Sequence, residues 1–456
     1  MTTTAENPDL APNPYLAGNY APVFDERDDA DLEVTGAIPP ELDGMLIRNG
    51  PNPIVVPDPA MYHWFVGDGM LHAVELRGGR ARYRNRFVRT PPAAEALGED
   101  APGASPAVNG VEPRASTALV AHAGKILALY EVSLPTEVGP DLSTVGAHDF
   151  KGALTTPFTA HPKVDPITGE MVFFGYDVFG PPFLRYHVVD ASGRLVTTEA
   201  ITVPAAAMMH DFAITSTRAL FLDLPVLFDL ALVGTQPFPY AWRPDHGARV
   251  GVMPRSGGDA DVVWCEVEPC FVFHTLNAYD DADGNVVLDV IRAPDTFVTQ
   301  DSGPGTSTNM RLERWTIDPT HRRVTADILD DAGQELPRID ERQTGRVHRY
   351  GYTMEITNDW GPSGLRKHDL VSGTLERRDE GPGHAAGEPI LVPASTDAGE
   401  DEGWVLSVVY DAATDSSDLV VIDATDFTAP PVATVHLRRR VPFGFHGIWV
   451  PGASQG

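Results

Sequence analysis

Four histidines stand far apart in this chain, each in an apolar or turn-like setting. No single helix or hairpin could present all four, so a shared site requires a fold that brings distant segments to one axis. Neutral imidazole suits iron, zinc, copper and nickel, and four such ligands leave the full charge of the metal on the site. An all-histidine iron site is therefore the hypothesis to test against the rest of the sequence. The four are His161 (in TAHPK), His210 (in MMHDF), His274 (in FVFHTLNAY) and His446 (in FGFHG).

The bulk composition limits the class of protein. At 456 residues the chain is long for one ordinary domain, but β-architectures run large as single units. A hydrophobic fraction of 42% is enough for a sizeable core. The net charge of −30 argues against binding nucleic acid or an anionic membrane face by charge alone. We interpret the acidity as a solvated surface.

The cysteines and the N-terminus indicate the compartment. Cys265 and Cys270 are too few for a disulfide framework or a zinc ribbon, and buried thiols in a cytosolic protein are the expected state. Residues 1–14 are polar and lack the basic and apolar regions of a secretory signal. No run of roughly 18 residues is continuously apolar, so no transmembrane span is expected. We predict a cytoplasmic protein.

Short β-prone runs, bounded by Gly, Asp, Asn and Pro, dominate the chain. The best helical candidate, Leu224–Leu232, is interrupted by Pro225. Residues 91–112 and 398–403 are expected to be surface loops. The predicted strands are Lys125–Tyr130, Met171–Tyr176, Ala219–Leu222, Val262–Trp264, Asn285–Ile291, Gly403–Tyr410 and Asp418–Ile422.

A strand, a polar turn and a second strand recur along the chain with no helix between them. Each unit indicates an outer hairpin of an antiparallel sheet, and the recurrence favours a β-propeller over a sandwich. Seven blades of roughly 65 residues would be long but workable with insertions. Inner strands of such blades face a common axis, where distant residues can converge. The recurring units are Lys163–Val172, Leu184–Val196, Leu312–Val324 and Leu365–Leu375.

We therefore predict an all-β fold, a seven-bladed β-propeller with an axial metal site and a cap of loops and short helices over one face. Residues 1–13 are predicted to form a flexible N-terminus and residues 14–456 a single catalytic propeller domain. The other histidines favour structural interpretations. Those among charges and turns are expected to be exposed, and those flanking the WFVGDGM segment could be core residues. The first group is His321, His368 and His384, and the second is His63 and His72.

The settings of the four histidines resemble the four iron-ligand segments of the carotenoid cleavage oxygenase family. Further segments in the first part of the chain agree, and all of them occur in the order typical of the family. The resemblance extends roughly from Pro14 to Val450. The additional segments are Arg48–Pro53 (RNGPNP), His63–Phe65 (HWF), Gly67–His72 (GDGMLH) and Arg84–Thr90 (RNRFVRT).

This resemblance implies a seven-bladed propeller with a non-haem Fe(II) held on its axis by His161, His210, His274 and His446. It also implies three carboxylates that support the ligands, at Glu131, Glu335 and Glu388, with Glu341 as an alternative close to Glu335. A carboxylate on the second ring nitrogen fixes the tautomer and direction of a metal-bound imidazole. Three carboxylates also offset a dication that neutral ligands leave uncompensated.

The implied reaction is oxidative cleavage of a conjugated C=C bond to two carbonyl groups. Four ligands on an iron that prefers six leave two positions, one for O2 and one for water or a substrate oxygen. The protein would hold a lipophilic alkene near the metal in a dry apolar tunnel. The stretch 224–242 could also take part, and it could contact a membrane peripherally or pack onto the propeller face. Candidate tunnel residues are Phe65, Tyr130, Phe271, Phe273, Phe443, Phe445 and Trp449.

Position 130 bears on the substrate. The resemblance implies that members cleaving phenolic stilbenes or phenylpropenes carry a lysine directly before the first supporting glutamate, and this chain has Tyr130 there, with Lys125 five residues upstream. A tyrosine hydroxyl can also bind a phenol. The expected substrate is therefore a carotenoid or apocarotenoid, with stilbene or phenylpropene cleavage as the alternative.

Two further alternatives stay open. A retinoid-type isomerohydrolase shares these ligands, although the acidic composition argues against it. A non-catalytic or Ca²⁺-dependent propeller is the alternative from another class, but Ca²⁺ prefers oxygen ligands.

Overall fold

The computed structural model describes residues 13–103, 108, 110–297, 309–356 and 362–452. Seven sheets of four or more strands are arranged around an axis, and a two-stranded ribbon lies outside them. The all-β, seven-bladed propeller predicted from the sequence is confirmed. The predicted flexible segment, residues 1–13, lies outside the described residues except for Asn13.

Strands are numbered in chain order, and within each blade they are named from the inner to the outer edge. The first blade contains β33 (Gly447–Pro451), β3 (Gly44–Pro51), β4 (Gly69–Arg77), β5 (Arg80–Phe87) and β1 (Arg27–Asp29). The second contains β6 (Ala118–His122), β7 (Lys125–Leu129), β8 (Thr136–Val138) and β9 (Thr144–Ala147). The third contains β10 (Lys163–Val164), β11 (Met171–Tyr176), β12 (Leu184–Val189) and β13 (Leu195–Ile201).

The remaining blades follow the same antiparallel order. The fourth contains β14 (Ala213–Ile214), β15 (Arg218–Asp223), β18 (Ala248–Pro254) and β19 (Val263–Val267). The fifth contains β20 (Phe271–Asp280), β21 (Val286–Ala293), β22 (Arg311–Asp318) and β23 (Arg323–Asp330). The sixth contains β24 (Gln334–Arg338), β25 (Tyr350–Ile356), β26 (Pro362–Asp369) and β27 (Thr374–Asp379). The seventh contains β28 (His384–Ala386) and β29 (Ile390–Pro393), both paired with β30 (Gly403–Asp411), then β31 (Ser416–Asp423), β32 (Ala433–Arg439) and β2 (Val34–Gly36).

The two ends of the chain close the ring. β33 pairs with β3 in the first blade, and β2 pairs with β32 in the seventh. Each of these two blades therefore combines strands from both ends of the chain, and backbone hydrogen bonds between those strands close the ring. Strand sequences follow their positions: β11 (MVFFGY) is buried throughout, whereas β5 alternates buried and more exposed residues.

Helix is scarce in the described part of the chain. The single α-helix, α1 (Pro91–Leu97), starts with prolines in its first turn and ends at Gly98, which adopts a left-handed φ of 73°. It lies where the sequence predicts only a loop. Short 3₁₀ turns occur at Pro14–Leu16, Gly18–Tyr20, Pro59–Met61, Leu230–Leu232, Pro244–His246, Asp259–Asp261, Glu341–Gln343 and Ala424–Asp426.

Two further predictions were wrong. Leu224–Leu232 is not a helix: it forms β16 (Val226–Phe228), which pairs with β17 (Tyr240–Trp242), followed by a 3₁₀ turn capped by Asp229. Pro225 lacks the backbone N–H that a helix would need there.

His368 is buried rather than exposed. Its position on β26 turns the ring toward β24, where its Nε2 lies 2.9 Å from Gln334 Oε1. Cys265 and Cys270 are buried free thiols, as predicted. No helix among the described residues is long and apolar enough to cross a membrane.

Candidate metal centre

The four histidines reach the axis from the inner strands of four blades. His161 precedes β10, His210 precedes β14, His274 lies within β20 and His446 directly precedes β33. Each of these strands forms the inner edge of its blade. The propeller therefore brings together residues that the sequence separates widely.

Their ring nitrogens converge on one point. The four ligand atoms all lie within 4.8 Å of one another. His210 Nε2 lies 3.0 Å from His161 Nε2 and 3.3 Å from His274 Nε2. The rings are steeply inclined to each other, at 63° between His161 and His210 and 88° between His161 and His446. Each ring thus directs its edge, and not its face, at the shared centre.

Three glutamates, two of them buried and Glu131 partly buried, hold the far side of three of the rings. His210 Nδ1 lies 2.5 Å from Glu131 Oε2, and His274 Nδ1 lies 2.5 Å from Glu335 Oε2. His446 Nδ1 lies 2.8 Å from Glu388 Oε1. A carboxylate accepts, so the ring proton stays on Nδ1 and the Nε2 lone pair faces the centre.

All seven blades contribute one residue to this centre. The first, third, fourth and fifth blades supply the histidines. The second supplies Glu131 from the loop after β7, the sixth supplies Glu335 from β24, and the seventh supplies Glu388 between β28 and β29. Glu341, the alternative to Glu335, instead pairs with Arg338, and 67% of its side chain is exposed.

Each carboxylate also accepts a second hydrogen bond, at Glu131 and Glu388 through the oxygen that does not face the imidazole. Tyr176 donates its hydroxyl to Glu131 Oε1 over 2.5 Å. The backbone N–H of Gly447 donates to Glu388 Oε2 over 2.7 Å. Leu336 N–H donates to the oxygen of Glu335 that also faces His274, over 2.5 Å. These bonds fix the carboxylates, and the carboxylates fix the rings.

A buried aspartate that sequence reasoning missed links three ligand segments. Asp211 accepts from Thr275 N–H at 2.8 Å and from Thr275 Oγ1 at 2.9 Å, and its other oxygen lies 2.8 Å from Lys163 Nζ. These residues neighbour His210, His274 and His161 respectively. The MMHDF motif contained the signal, since the aspartate directly follows the ligand.

The RNGPNP motif positions the fourth ligand segment. Asn49 N–H donates to the His446 carbonyl at 2.9 Å, and Phe445 N–H donates to the Asn49 carbonyl at 3.0 Å. A Cβ on Gly50 would lie 2.7 Å from the Cα of Gly444. Only glycine permits that approach of the two backbones.

Electrostatics favour neutral rings at His446 and His161 and an ionised carboxylate at Glu388. Burial lowers the pKa of His446 to about 4, even though Glu388 opposes the shift. Burial and the neighbouring imidazoles lower the pKa of His161 well below its usual value. Burial would raise the pKa of Glu388, but Arg338 and His446 outweigh it and hold the pKa below its usual value. At His210 burial lowers the pKa, but Glu131 outweighs it and the net shift is upward.

The donor set fits a divalent transition metal. Nitrogen lone pairs about 3 Å apart repel each other unless a cation lies between them. Four imidazoles suit iron, zinc, copper or nickel and not Ca²⁺, which prefers oxygen. Three nearby carboxylates compensate a dication.

An apolar cavity of about 370 Å³ reaches His210, His274 and His446. Of the predicted tunnel residues, those that line it are Phe65, Tyr130, Phe273, Phe443 and Phe445. Phe271 and Trp449 do not, which corrects that part of the expectation. Phe271 is fully buried behind Phe273, with ring centroids 4.7 Å apart.

Trp449 lies in β33 at a second, more polar cavity of about 440 Å³, which His161 and His446 reach. The histidines therefore separate two cavities of different character. The wall of the apolar cavity also contains residues that sequence reasoning did not single out. Trp64 could have been found from its neighbour Phe65, and Tyr176 from the end of a predicted strand. The additional lining residues include Trp64, Met208, Tyr176, Phe238 and Tyr240.

Comparisons with known proteins agree with this geometry. The family described as retinal pigment epithelial membrane protein matches residues 20–451. A carotenoid cleavage oxygenase of Mycobacterium tuberculosis is 39% identical over 96% of this chain and 98% of that protein. An isoeugenol monooxygenase of Pseudomonas putida is 33% identical over 96% of this chain and 98% of that protein.

Solved structures show the same similarity. The lignostilbene dioxygenase of Pseudomonas brassicacearum superposes with a TM-score of 0.89 at 29% identity, covering 98% of this chain and 100% of that one. The cobalt-substituted apocarotenoid oxygenase of Synechocystis superposes with a TM-score of 0.85 at 31% identity, covering 97% of this chain and 99% of that one.

Proposed function

The chain belongs to the carotenoid cleavage oxygenase family and is a dioxygenase, and from this premise we propose that it cleaves a conjugated C=C bond of a carotenoid or apocarotenoid with O2. We assign His161, His210, His274 and His446 as ligands of one Fe(II), and Glu131, Glu335 and Glu388 as their supports. The observation that carries the proposal is the set of converging Nε2 atoms at the inner end of an apolar cavity.

When bound by these histidines, Fe(II) would supply a redox-active centre for the reaction with O2. The chain's own residues then position the alkene. Phe65, Phe273 and Phe445 offer ring faces and edges against which a flat conjugated chain can pack. The apolar wall excludes water, and the held geometry presents the double bond to the centre. Both atoms of O2 enter the products as carbonyl oxygens, so no further reductant is required.

The substrate class rests on two observations. The carotenoid cleavage oxygenase of Mycobacterium tuberculosis is similar over nearly the whole of both chains. Tyr130, and not lysine, lines the cavity beside Glu131. The stilbene or phenylpropene alternative retains support from Tyr130, because its hydroxyl can bond a phenol, and from the similarity to the isoeugenol monooxygenase.

The mouth of the cavity favours uptake from a lipid phase. Phe179, Leu230 and Val233 line the cavity and are 61%, 69% and 51% exposed. We therefore propose a cytoplasmic enzyme in which the mouth of the cavity makes peripheral contact with a membrane that contains the substrate. The net charge of −30 favours neutral over anionic lipid for this contact.

The test is product analysis by mass spectrometry after incubating the iron-loaded protein with carotenoids, apocarotenals, phenolic stilbenes and phenylpropenes under ¹⁸O2. Aldehyde or ketone products of the polyenes that carry ¹⁸O are expected. Cleavage confined to the phenolic alkenes would replace the carotenoid assignment with the alternative. Failure to cleave any conjugated alkene with iron bound would overturn the proposed function.

A further inference from the structure

Hydroxyl groups interrupt the otherwise apolar wall beside Glu131. Tyr130, Tyr176 and Tyr240 all line the cavity there. Tyr176 is buried, and its hydroxyl oxygen lies 2.5 Å from Glu131 Oε1 and 3.4 Å from the hydroxyl oxygen of Tyr240. This polar patch lies at a fixed position relative to the metal centre, because Glu131 also holds His210.

The direction of these hydrogen bonds follows from the number of protons. A carboxylate accepts only, so the single hydroxyl proton of Tyr176 goes to Glu131. Tyr240 can then contact Tyr176 only by donating its own proton to it. The lone pairs of the Tyr240 oxygen are left for a partner in the cavity, and that partner must donate.

The position of Tyr240 is fixed by its strand and its ring contacts. It pairs with Phe228 in the β16–β17 ribbon, and its ring centroid lies 5.9 Å from that of Phe228 and 6.3 Å from that of Phe297. Burial raises the pKa of Tyr240 and, more strongly, that of Tyr176, so both hydroxyls keep their protons at neutral pH.

We propose that Tyr240 is an acceptor for a hydroxyl group on the ring end of the substrate, in a relay from substrate O–H to Tyr240, Tyr176 and Glu131. This inference rests on the proposed function and specifies its substrate as a conjugated alkene that carries a ring hydroxyl. Hydroxylated apocarotenoids and phenolic stilbenes share this chemistry. A methyl ether, a ketone or a bare hydrocarbon ring at the same position cannot donate.

The test measures binding and cleavage separately. Dissociation constants are determined without O2 on the iron-loaded protein, from quenching of tryptophan fluorescence, since Trp64 lines the cavity. The ligands are matched sets of apocarotenals and of stilbenes whose ring carries a hydroxyl, a methoxy group or hydrogen. Cleavage of the same compounds is then measured with O2.

The wild-type chain is expected to bind the hydroxyl member of a set roughly 3- to 10-fold more tightly than the other two, as one neutral hydrogen bond provides. Tyr240→Phe keeps the ring contacts and should abolish that preference, with iron content unchanged. Tyr279→Phe, on β20 and outside the cavity wall, is the matched control and should retain it.

Tyr176→Phe gives a second test that does not depend on removing the Tyr240 hydroxyl. It frees the Tyr240 proton for a ligand, so the preference should shift toward a ring ketone. The proposal fails if Tyr240→Phe retains the wild-type preference, or if the methyl ether binds as tightly as the hydroxyl compound. If the hydroxyl compound binds more tightly but no compound is cleaved, the subsite is upheld and the proposed function is overturned. If the compounds are cleaved but bind with equal affinity, the proposed function stands and the subsite is refuted. A preference in the apocarotenal set or in the stilbene set identifies which of these two substrate classes the site accepts.

Discussion

Tyr176 donates its hydroxyl to Glu131 over 2.5 Å, while the second oxygen of the same carboxylate lies 2.5 Å from Nδ1 of His210. One carboxylate thus joins a ligand of the metal centre to the wall of the substrate cavity. Under the proposed function, Glu131 would therefore position both the substrate and the metal, and a change at either end should affect the other.

Removal of one ligand should abolish metal retention. His274→Ala deletes one of four converging nitrogens, and we expect iron per chain, measured by inductively coupled plasma mass spectrometry, to fall to background together with activity. His321→Ala, at an exposed histidine, is the control and should retain iron. Full iron and turnover in His274→Ala would refute the ligand assignment.

The supporting carboxylates should act through iron binding. Glu335→Gln weakens the acceptor that holds His274 Nδ1, and outer partners of this kind typically change metal affinity or rate about 10- to 100-fold. Glu131→Gln and Glu388→Gln are expected to behave alike. Competition with a chelator measures the affinity. Glu341→Gln is the matched control at an exposed position, and a sensitive Glu341 beside a silent Glu335 would reverse their assignment.

Acid should weaken an ion-pair cluster that joins three blades. Asp165 is buried and paired with Arg255 and Arg346. Burial would raise the pKa of Asp165, but Arg255 and backbone N–H groups outweigh it and lower the pKa. A carboxyl whose pKa is lower in the folded chain stabilises the fold above its unfolded pKa, near 4, and loses that effect as pH falls through the folded value.

Asp165→Asn should therefore lower the free energy of unfolding at pH 7 by about 3–5 kcal/mol, because two arginines lose their buried partner. The difference from wild type should shrink toward pH 3. Urea unfolding at both pH values measures it. Asp190→Asn, in the β12–β13 turn at the surface, is the control and should cost less. An Asp165→Asn effect that is equal at both pH values would contradict the ionised pair.

Membrane contact should depend on the rim of the apolar cavity. Leu230→Glu places a charge at the mouth, and we expect the affinity for neutral phosphatidylcholine vesicles, measured by co-sedimentation, to fall at least about tenfold, since burial of a leucine contributes about 1.5–3 kcal/mol. Ile167→Glu, equally exposed but located in the β10–β11 turn, is the matched control. Similar losses for both variants would show that the rim has no special role.

The sequence determined the fold class and predicted the candidate ligand set. The β-runs and recurring hairpins predicted antiparallel blades, because alternation and turn residues are local properties of the chain. The four histidine settings, together with the resemblance they carry, identified the residues that meet on the axis. The choice of Glu335 over Glu341 also came from the motif, although only the structure shows which carboxylate reaches His274.

Tertiary structure decided which side chains face the cavity. β20 has a register shift between Val272 and Thr275, so Phe273 and His274 both line the cavity although adjacent strand residues normally point to opposite faces. Phe271, which precedes the shift, is buried behind Phe273. The shared carboxylate of Glu131 and the Asp211 link join residues from different blades, and the polar patch joins Tyr176 to Tyr240 of the β16–β17 ribbon. Such contacts depend on how the blades pack around the axis, and periodicity along one strand carries no information about that packing.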